Sequence, residues 1–346
     1  MRIPGPFPDE NLTSIISRFQ LIYGMTEIEL KRHILGNKHV SGKLSRRNML
    51  IIIDYFSRLF GMSSTTFISN HTLVPLYSPF VNGASEGYVK KRILPNLLLQ
   101  QHYPNFCMKC VSEDIKHFGV AYWHRTHQAN GVVTCHRHGE VIHMHPVSNK
   151  ALGFGLQIPT PWRTDIVLDF TEYTEEIFKY SKWPSISNAE KQQFSKDQRK
   201  FSNDYSKLTF DLLNNDIGGI RNGMLGKVYR QRLRSLGIID PETGYSRYDA
   251  IRYLHRLGEI DVQQWLPMGS TLSSDDLFAK LLGLVADLIS DGYIYNIRYN
   301  PSLHLMIIRT LFDSFSDWKE SVSEHRTDNQ IVNYFYSEYG DKNSLF

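Results

Sequence analysis

The sequence is short of cysteine, of long apolar runs and of net charge. Its 346 residues hold three cysteines, a small and odd number that excludes the disulfide framework of small secreted domains. No apolar stretch approaches the roughly 20 residues needed to span a bilayer, and the run at 49–53 is broken at once by Asp54. The opening MRIPGPFPDEN has one arginine and no apolar segment behind it, so it does not read as a secretory signal. Glycine (23) and proline (14) are too few for a low-complexity or collagen-like chain. The expectation is a soluble, cytoplasmic protein with no membrane partner. With 41% hydrophobic residues it has enough apolar surface for two or three domains.

The formal net charge of +4 hides an uneven distribution. Residues 1–150 carry 17 Lys/Arg against 9 Asp/Glu, and 221–260 carry 8 against 4, whereas 261–346 carry 6 against 12. Basic front and middle blocks suit a polyanion, and an acidic end suits a different partner. The alternative is ordinary solvated surface.

The three cysteines fall in one pattern with a histidine, Cys107-x2-Cys110-x24-Cys135-x2-His138. A Cys-x2-Cys turn aims two thiolates at one centre, and a second knuckle supplies the other corners of a tetrahedron. Such a four-coordinate site is closed, so the expected cofactor is a structural Zn2+ on Cys107, Cys110, Cys135 and His138. His124, His127 and His136 are alternative fourth ligands, and the x2 spacing favours His138. Catalysis at this histidine cluster would need carboxylates beside it, and Glu140 is the only acid between Thr126 and Thr164. No phosphate-binding loop, nucleophile elbow or H-E-x-x-H occurs elsewhere, so no enzyme is expected and no catalytic residue is named.

Periodicity predicts a mainly α fold. Leu12, Ile15, Ile16, Phe19 and Ile22 recur at helical spacing with Arg18 on the other face, and Gly24 ends that helix. Thr26 and Glu29 form a capping box for the next helix. A third helix is expected over about 47–60, and Ser63 or Ser64 caps a short fourth. This is the skeleton of a helix-turn-helix domain over 1–101, with Lys43, Arg46 and Arg47 as candidate phosphate contacts. HTLVPLYSPF (71–80) reads as a structured connection, and 86–101 as a helix interrupted at Pro95. The zinc module spans 102–146, with Trp123 a core residue. Residues 147–220 read as a linker or irregular helical region, in which 188–204 is a surface helix or a linker. Residues 221–346 form a C-terminal helical, helix-turn-helix-like domain. Its basic pair over 225–258 offers Lys227, Arg230, Arg232, Arg234, Arg247 and Arg252 to DNA, or is an ordinary amphipathic pair. Helices at 273–292 and 303–315 lead to an acidic, aromatic end suited to a protein partner.

Three segments carry a family resemblance: PFPDENLTSIISRF, HTLVPLYSPF, and FCMKCVSEDIKHFGVAYWHRTHQANGVVTCHRHGEVI, with VYRQRLRSLGIIDPETGYSRYDAI more loosely. Together they resemble the TnsD/TniQ family of target-selection proteins of Tn-seven-like transposons. The resemblance implies a non-enzymatic adaptor for transposition. Such an adaptor binds double-stranded target DNA, or docks on a CRISPR Cascade complex with its guide RNA, and hands the site to the AAA+ ATPase TnsC. A homodimer is a further partner to consider. The resemblance carries the zinc ligands over to Cys107, Cys110, Cys135 and His138. The rival functions are a protein–protein scaffold and a zinc-containing transcription regulator.

Overall fold

The computed structural model describes residues 4–36, 46–80, 104–140, 142–144, 188–215, 217–220, 224–236, 301–323 and 325–327. The expectations for 86–101, for 147–187, for the second basic helix with Arg247 and Arg252, for 273–292 and for the acidic end lie outside the described residues, as does Lys43.

What is described is mainly helical. The first helices are α1 (Leu12–Tyr23), α2 (Glu27–Leu35), α3 (Arg46–Leu59), α4 (Ser64–His71) and α5 (Val74–Tyr77). After a short 3-10 turn, Ser78–Phe80, come β1 (Asn105–Phe106) and α6 (Met108–Phe118). A second 3-10 turn, Thr126–Gln128, leads to β2 (His143–Met144). The remaining elements are α7 (Asn188–Asn214), β3 (Gly219–Ile220), α8 (Met224–Ser235), α9 (Pro301–Leu311), α10 (Phe315–Ser323) and β4 (Arg326–Thr327). β1 pairs antiparallel with β2, and β3 with β4.

Local chemistry sets the ends of the early helices. Asn11 caps α1 by accepting the Thr13 N–H, and Gly24 closes it at φ 62°, a left-handed position that glycine adopts without a Cβ penalty. The Thr26–Glu29 capping box forms as the sequence predicts, with Thr26 N–H donating to Glu29 Oε2 at 2.8 Å. Ser63 is the cap of α4.

Two apolar cores result. One gathers α1 to α4 around Ile16, Leu30, Ile53, Phe56 and Phe67. The other gathers α7 to α10 with Leu76, Phe80 and all three cysteines. The HTLVPLYSPF segment joins them: Val74 belongs to the first core, while Leu76 and Phe80 belong to the second. A third, small cluster holds Trp123 against Phe106 and Val111, so Trp123 is core, fully buried. The polar 188–204 stretch is the first part of the 27-residue α7, whose later turns bury Tyr205, Leu208, Leu212 and Leu213.

Polar contacts lock the opening segment against residues 122–126. Asn11 N–H donates to Trp123 O at 2.9 Å, Arg125 N–H to Asp9 O at 2.7 Å, and the Tyr122 hydroxyl to Pro8 O at 3.0 Å. Arg18, expected on a polar face, is buried instead. It clamps the same segment through Glu10, Pro4 O and Gly5 O, and its long stem lets the charge reach a partner that helical periodicity does not show.

Arg125 is 1% exposed and uses all five guanidinium donors. Nε donates to Asp9 Oδ1 at 3.2 Å. Nη1 donates to Ser69 O and to Thr72 O, and Nη2 to Leu213 O and to Asn214 Oδ1. The first pair of acceptors lies at the C-terminal end of α4 and the second at that of α7, where carbonyls lack partners within the helix and a cation is favoured. Burial alone would raise the Asp9 carboxyl, but Arg125, His124 and the Thr126 N–H outweigh it and hold it below the usual carboxylate range.

Arg125→Lys cannot reproduce a five-donor fork. The charge opposite Asp9 is kept, but buried acceptors lose their donors at about 1–3 kcal/mol each, so unfolding stability should fall by ~2–5 kcal/mol; a loss under about 1 kcal/mol in urea titration would remove Arg125 from its central place. His71 donates from Nδ1 to Glu10 O at 2.8 Å, and burial pushes its pKa down to about 4. Its ordinary value is about 6.5, so the unfolded chain binds the proton first. Stability is therefore complete above pH about 6.5 and falls as the pH drops toward 4, by on the order of 3 kcal/mol. His71→Asn keeps a donor for Glu10 O and removes the titration, so its stability should fall less than wild type between pH 7 and 4.5. Parallel losses in both proteins would show that His71 is not responsible.

Candidate metal centre

Two turns build the centre. Cys107 precedes the first turn of α6 and Cys110 lies within it, so the helix start places both thiols on one side. The second turn runs from Cys135 to Glu140, where Cys135 N–H donates to Glu140 O at 2.7 Å and Gly139 N–H to Cys135 O at 2.8 Å. Gly139 has φ 63°, and a Cβ there would meet Asn203 Nδ2 of α7 at 3.2 Å, so both conformation and packing favour glycine. The β1–β2 pair flanks the two turns, and Lys109 Nζ bridges them to Glu140 Oε1 at 2.7 Å.

Cys107, Cys110, Cys135 and His138 come together. His138 Nδ1 lies 3.5, 3.4 and 3.5 Å from the sulfurs of Cys107, Cys110 and Cys135, and Cys110 Sγ lies 3.6 Å from Cys135 Sγ. A regular tetrahedron with such edges has its centre about 2.1 Å from each corner, which falls between the usual metal–nitrogen and metal–sulfur distances of ~2.0 and ~2.3 Å. The donor set therefore fits a small tetrahedral ion, and no fifth donor belongs to the group among the described residues. All three sulfurs are buried. The Cys107 thiol is pushed well down by hydrogen bonds from Cys110 and Cys135, which makes it the first thiolate of the set.

A carboxylate orients the histidine. Glu113 Oε1 lies 3.0 Å from His138 Nε2, and Glu113 Oε2 accepts from Arg137 at 2.5 Å. With Nε2 protonated toward Glu113, the Nδ1 lone pair faces the sulfurs, the usual carboxylate–histidine–metal arrangement. Glu113 sits one helical turn beyond Cys110 on α6, and that i,i+3 spacing from a ligand is the signal by which the sequence could have given it.

The other nearby histidines lie outside the Cys3His group, although His127 and His136 each bring a ring nitrogen within 4.8 Å of Cys135 Sγ. His124 Nε2 pairs with Asp114 Oδ2 at 2.9 Å. His136 stacks on Phe210 of α7 with ring centroids 4.1 Å apart, and His127 is fully buried. Burial lowers His136 to about 4 and His127 to about 3, so both rings are neutral at pH 7.

The basic residues of α8 divide. Lys227 and Arg234 are exposed and Arg230 is half-buried. Arg232 is used inside the fold: Nε donates to Leu311 O at 2.6 Å, at the end of α9, and Nη2 pairs with Asp313 and Asp317. Arg46 and Arg47 open α3, and their side chains are outside the described residues.

With this geometry in view, comparison with known proteins is specific. Residues 1–141 match the TniQ family. The matched stretch takes in the paired opening segment, Arg125 and all four residues of the Cys3His cluster. The Escherichia coli transposon Tn7 transposition protein TnsD is 23% identical over 155 residues, which is 40% of this chain and 30% of that protein. The match thus spans under a third of that relative's length. Both matches agree with the TnsD/TniQ resemblance carried by the motifs. No helix among the described residues is long and apolar enough to cross a membrane.

Replacing Glu113 by Ala should weaken metal binding by about 10–100-fold while leaving the four ligands in place. Competition with a chromophoric chelator reads this directly, and unchanged affinity would show that Glu113 does not orient His138.

Proposed function

We propose that this protein is a target-site selection adaptor for transposition that carries a structural Zn2+ on Cys107, Cys110, Cys135 and His138. The observation that carries the reading is the TniQ match over 1–141, within which the two most distinctive motifs are in direct contact: PFPDEN pairs with YWHR through Asp9, Asn11, Trp123 and Arg125.

The zinc ion is the natural occupant of a closed set of three thiolates and one imidazole, and it supplies rigidity rather than chemistry. Cys107 and Cys110 anchor the start of α6, and Cys135 and His138 anchor the turn that presses on α7. The site leaves no position for water or substrate, so it supports a non-enzymatic role. The adaptor binds double-stranded DNA through basic side chains, and its α1–α3 helices act as a helix-turn-helix unit. On α8, Lys227 and Arg234 stand on one exposed face with Arg230 beside them, while Arg232 braces α9. Lys43, Arg46, Arg47, Arg247 and Arg252 are further candidates for phosphate contact. The bound site is handed to the AAA+ ATPase TnsC, and the acidic C-terminal end is suited to a protein surface. Direct DNA recognition and docking on a Cascade–guide RNA complex are two routes to the same hand-over.

Tagged protein recovered from cells that carry its genomic neighbourhood, with nucleic acid and protein both identified, tests the reading. Recovery of a transposition ATPase with either one DNA site or a CRISPR complex is expected; recovery with neither would overturn it. The α8 surface has its own test. Arg230→Ala with Arg234→Ala should weaken duplex binding and reduce the slope of log affinity against log salt by up to about 2. An unchanged slope would move the DNA surface away from α8.

A further inference from the structure

Cys135 Sγ belongs to two groups at once. Besides its place beside His138, it lies within 4.8 Å of one ring nitrogen of His127 and one of His136, and those nitrogens are equally close to each other. His127 is 0% exposed, and neither Nδ1 nor Nε2 has a hydrogen-bond partner. His136 Nδ1 is also buried without one. Polar atoms withdrawn from water are nearly always satisfied by protein, water or an ion, so two such rings facing one thiolate call for a ligand. Aromatic packing pins both rings without using their nitrogens: His136 lies on Phe210 and His127 against His124, with ring centroids 5.1 Å apart in the second pair.

We propose that His127, Cys135 and His136 hold a second cation, a soft monovalent ion of the copper(I) type, with the Cys135 thiolate shared between it and the Cys3His metal. This rests on reading the Cys3His group as a zinc site. Three arguments select the ion. Two imidazoles and a thiolate are a soft donor set, of the kind that selects copper(I) or zinc over hard cations. The group offers three ligands among the described residues, too few to close a tetrahedral zinc site. Asp9, whose charge both rings feel, is already taken by Arg125 and by the Thr126 N–H. Charge balance points the same way. Three thiolates around Zn2+ leave one negative charge over in a buried site; a monovalent ion cancels it, whereas a second divalent ion would leave an excess positive charge.

The test is an anaerobic titration of the full-length zinc-loaded protein with copper(I) buffered by a competing chelator, with both metals quantified. About one equivalent of copper should bind with zinc retained at about one equivalent. His127→Leu with His136→Leu should lose the copper and keep the zinc. Copper that displaces zinc one for one, copper that binds the double variant equally, or no copper binding would each overturn the second site. Absence of zinc from the starting protein would instead overturn the Cys3His reading. Should the double variant fail to retain zinc, copper-edge X-ray absorption on the wild-type protein decides. Two nitrogens and one sulfur are expected around copper, and three sulfurs would overturn the proposal.

Discussion

The guanidinium of Arg125 is the constraint on which the rest of the arrangement depends. A buried cation is strongly unfavourable unless its partners are complete, and here completion takes three segments far apart in the sequence. Asp9 supplies the countercharge, the end of α4 supplies Ser69 O and Thr72 O, and the end of α7 supplies Leu213 O and Asn214 Oδ1. Each helix end in turn has carbonyls that no intrahelical N–H can reach. The need is mutual, so no one of the three segments is satisfied until the others are in place. That makes the junction cooperative rather than a sum of separate bonds.

The Cys3His cluster and the Arg125 junction work on the same element from two sides. Gly139, in the second turn, packs closely against Asn203 in the middle of α7, while Arg125 grips the last residues of that helix. Tyr205 lies between them and donates to Asn130 O at 2.9 Å, inside the loop that joins Arg125 to Cys135. A rigid loop is thus held at one end by a charge and at the other by a cluster of thiols, with an aromatic residue tying its middle to the helix. The three cysteines belong to the same apolar core as Leu212, Leu305 and Trp318, so the ligands are packed as core residues in addition to any bond they make.

What the sequence makes legible is local or periodic. The capping residues Thr26, Glu29 and Ser63, the stop at Gly24 and the apolar stripe of α1 act within a turn or two of themselves, and spacing reveals them. The Cys-x2-Cys and Cys-x2-His turns are local as well, and only their pairing is long-range. Arg18, Arg125, Arg232 and Glu113 escaped because a long charged side chain reads as a solvated face until its partner is known. The partners are 8 to more than 100 residues away in sequence, and several are backbone carbonyls, which carry no signature at all. The polar 188–204 stretch reads as a surface helix or a linker, and the outcome is the helix, which runs unbroken into the core residues at 205–213.

The boundary of the TniQ match does not coincide with the boundary of the physical unit. The match ends at residue 141, yet two of the five Arg125 donors and the surface beneath the second metal-centre turn are met by α7, which begins at Asn188. Leu76 and Phe80 are matched residues that likewise bury themselves among α7 to α10. The domain therefore presents a face of specific chemistry, a cation, an apolar patch and a glycine-lined turn. That face is complementary to one helix end and one helix flank rather than to water. Whatever sequence follows residue 141 in such an arrangement has to place two helix C-terminal acceptors at Arg125 and a close-packed side chain at Gly139. The junction thus transmits a geometric requirement from the matched domain to the rest of the chain and sets the angle at which α8 and its basic face are carried.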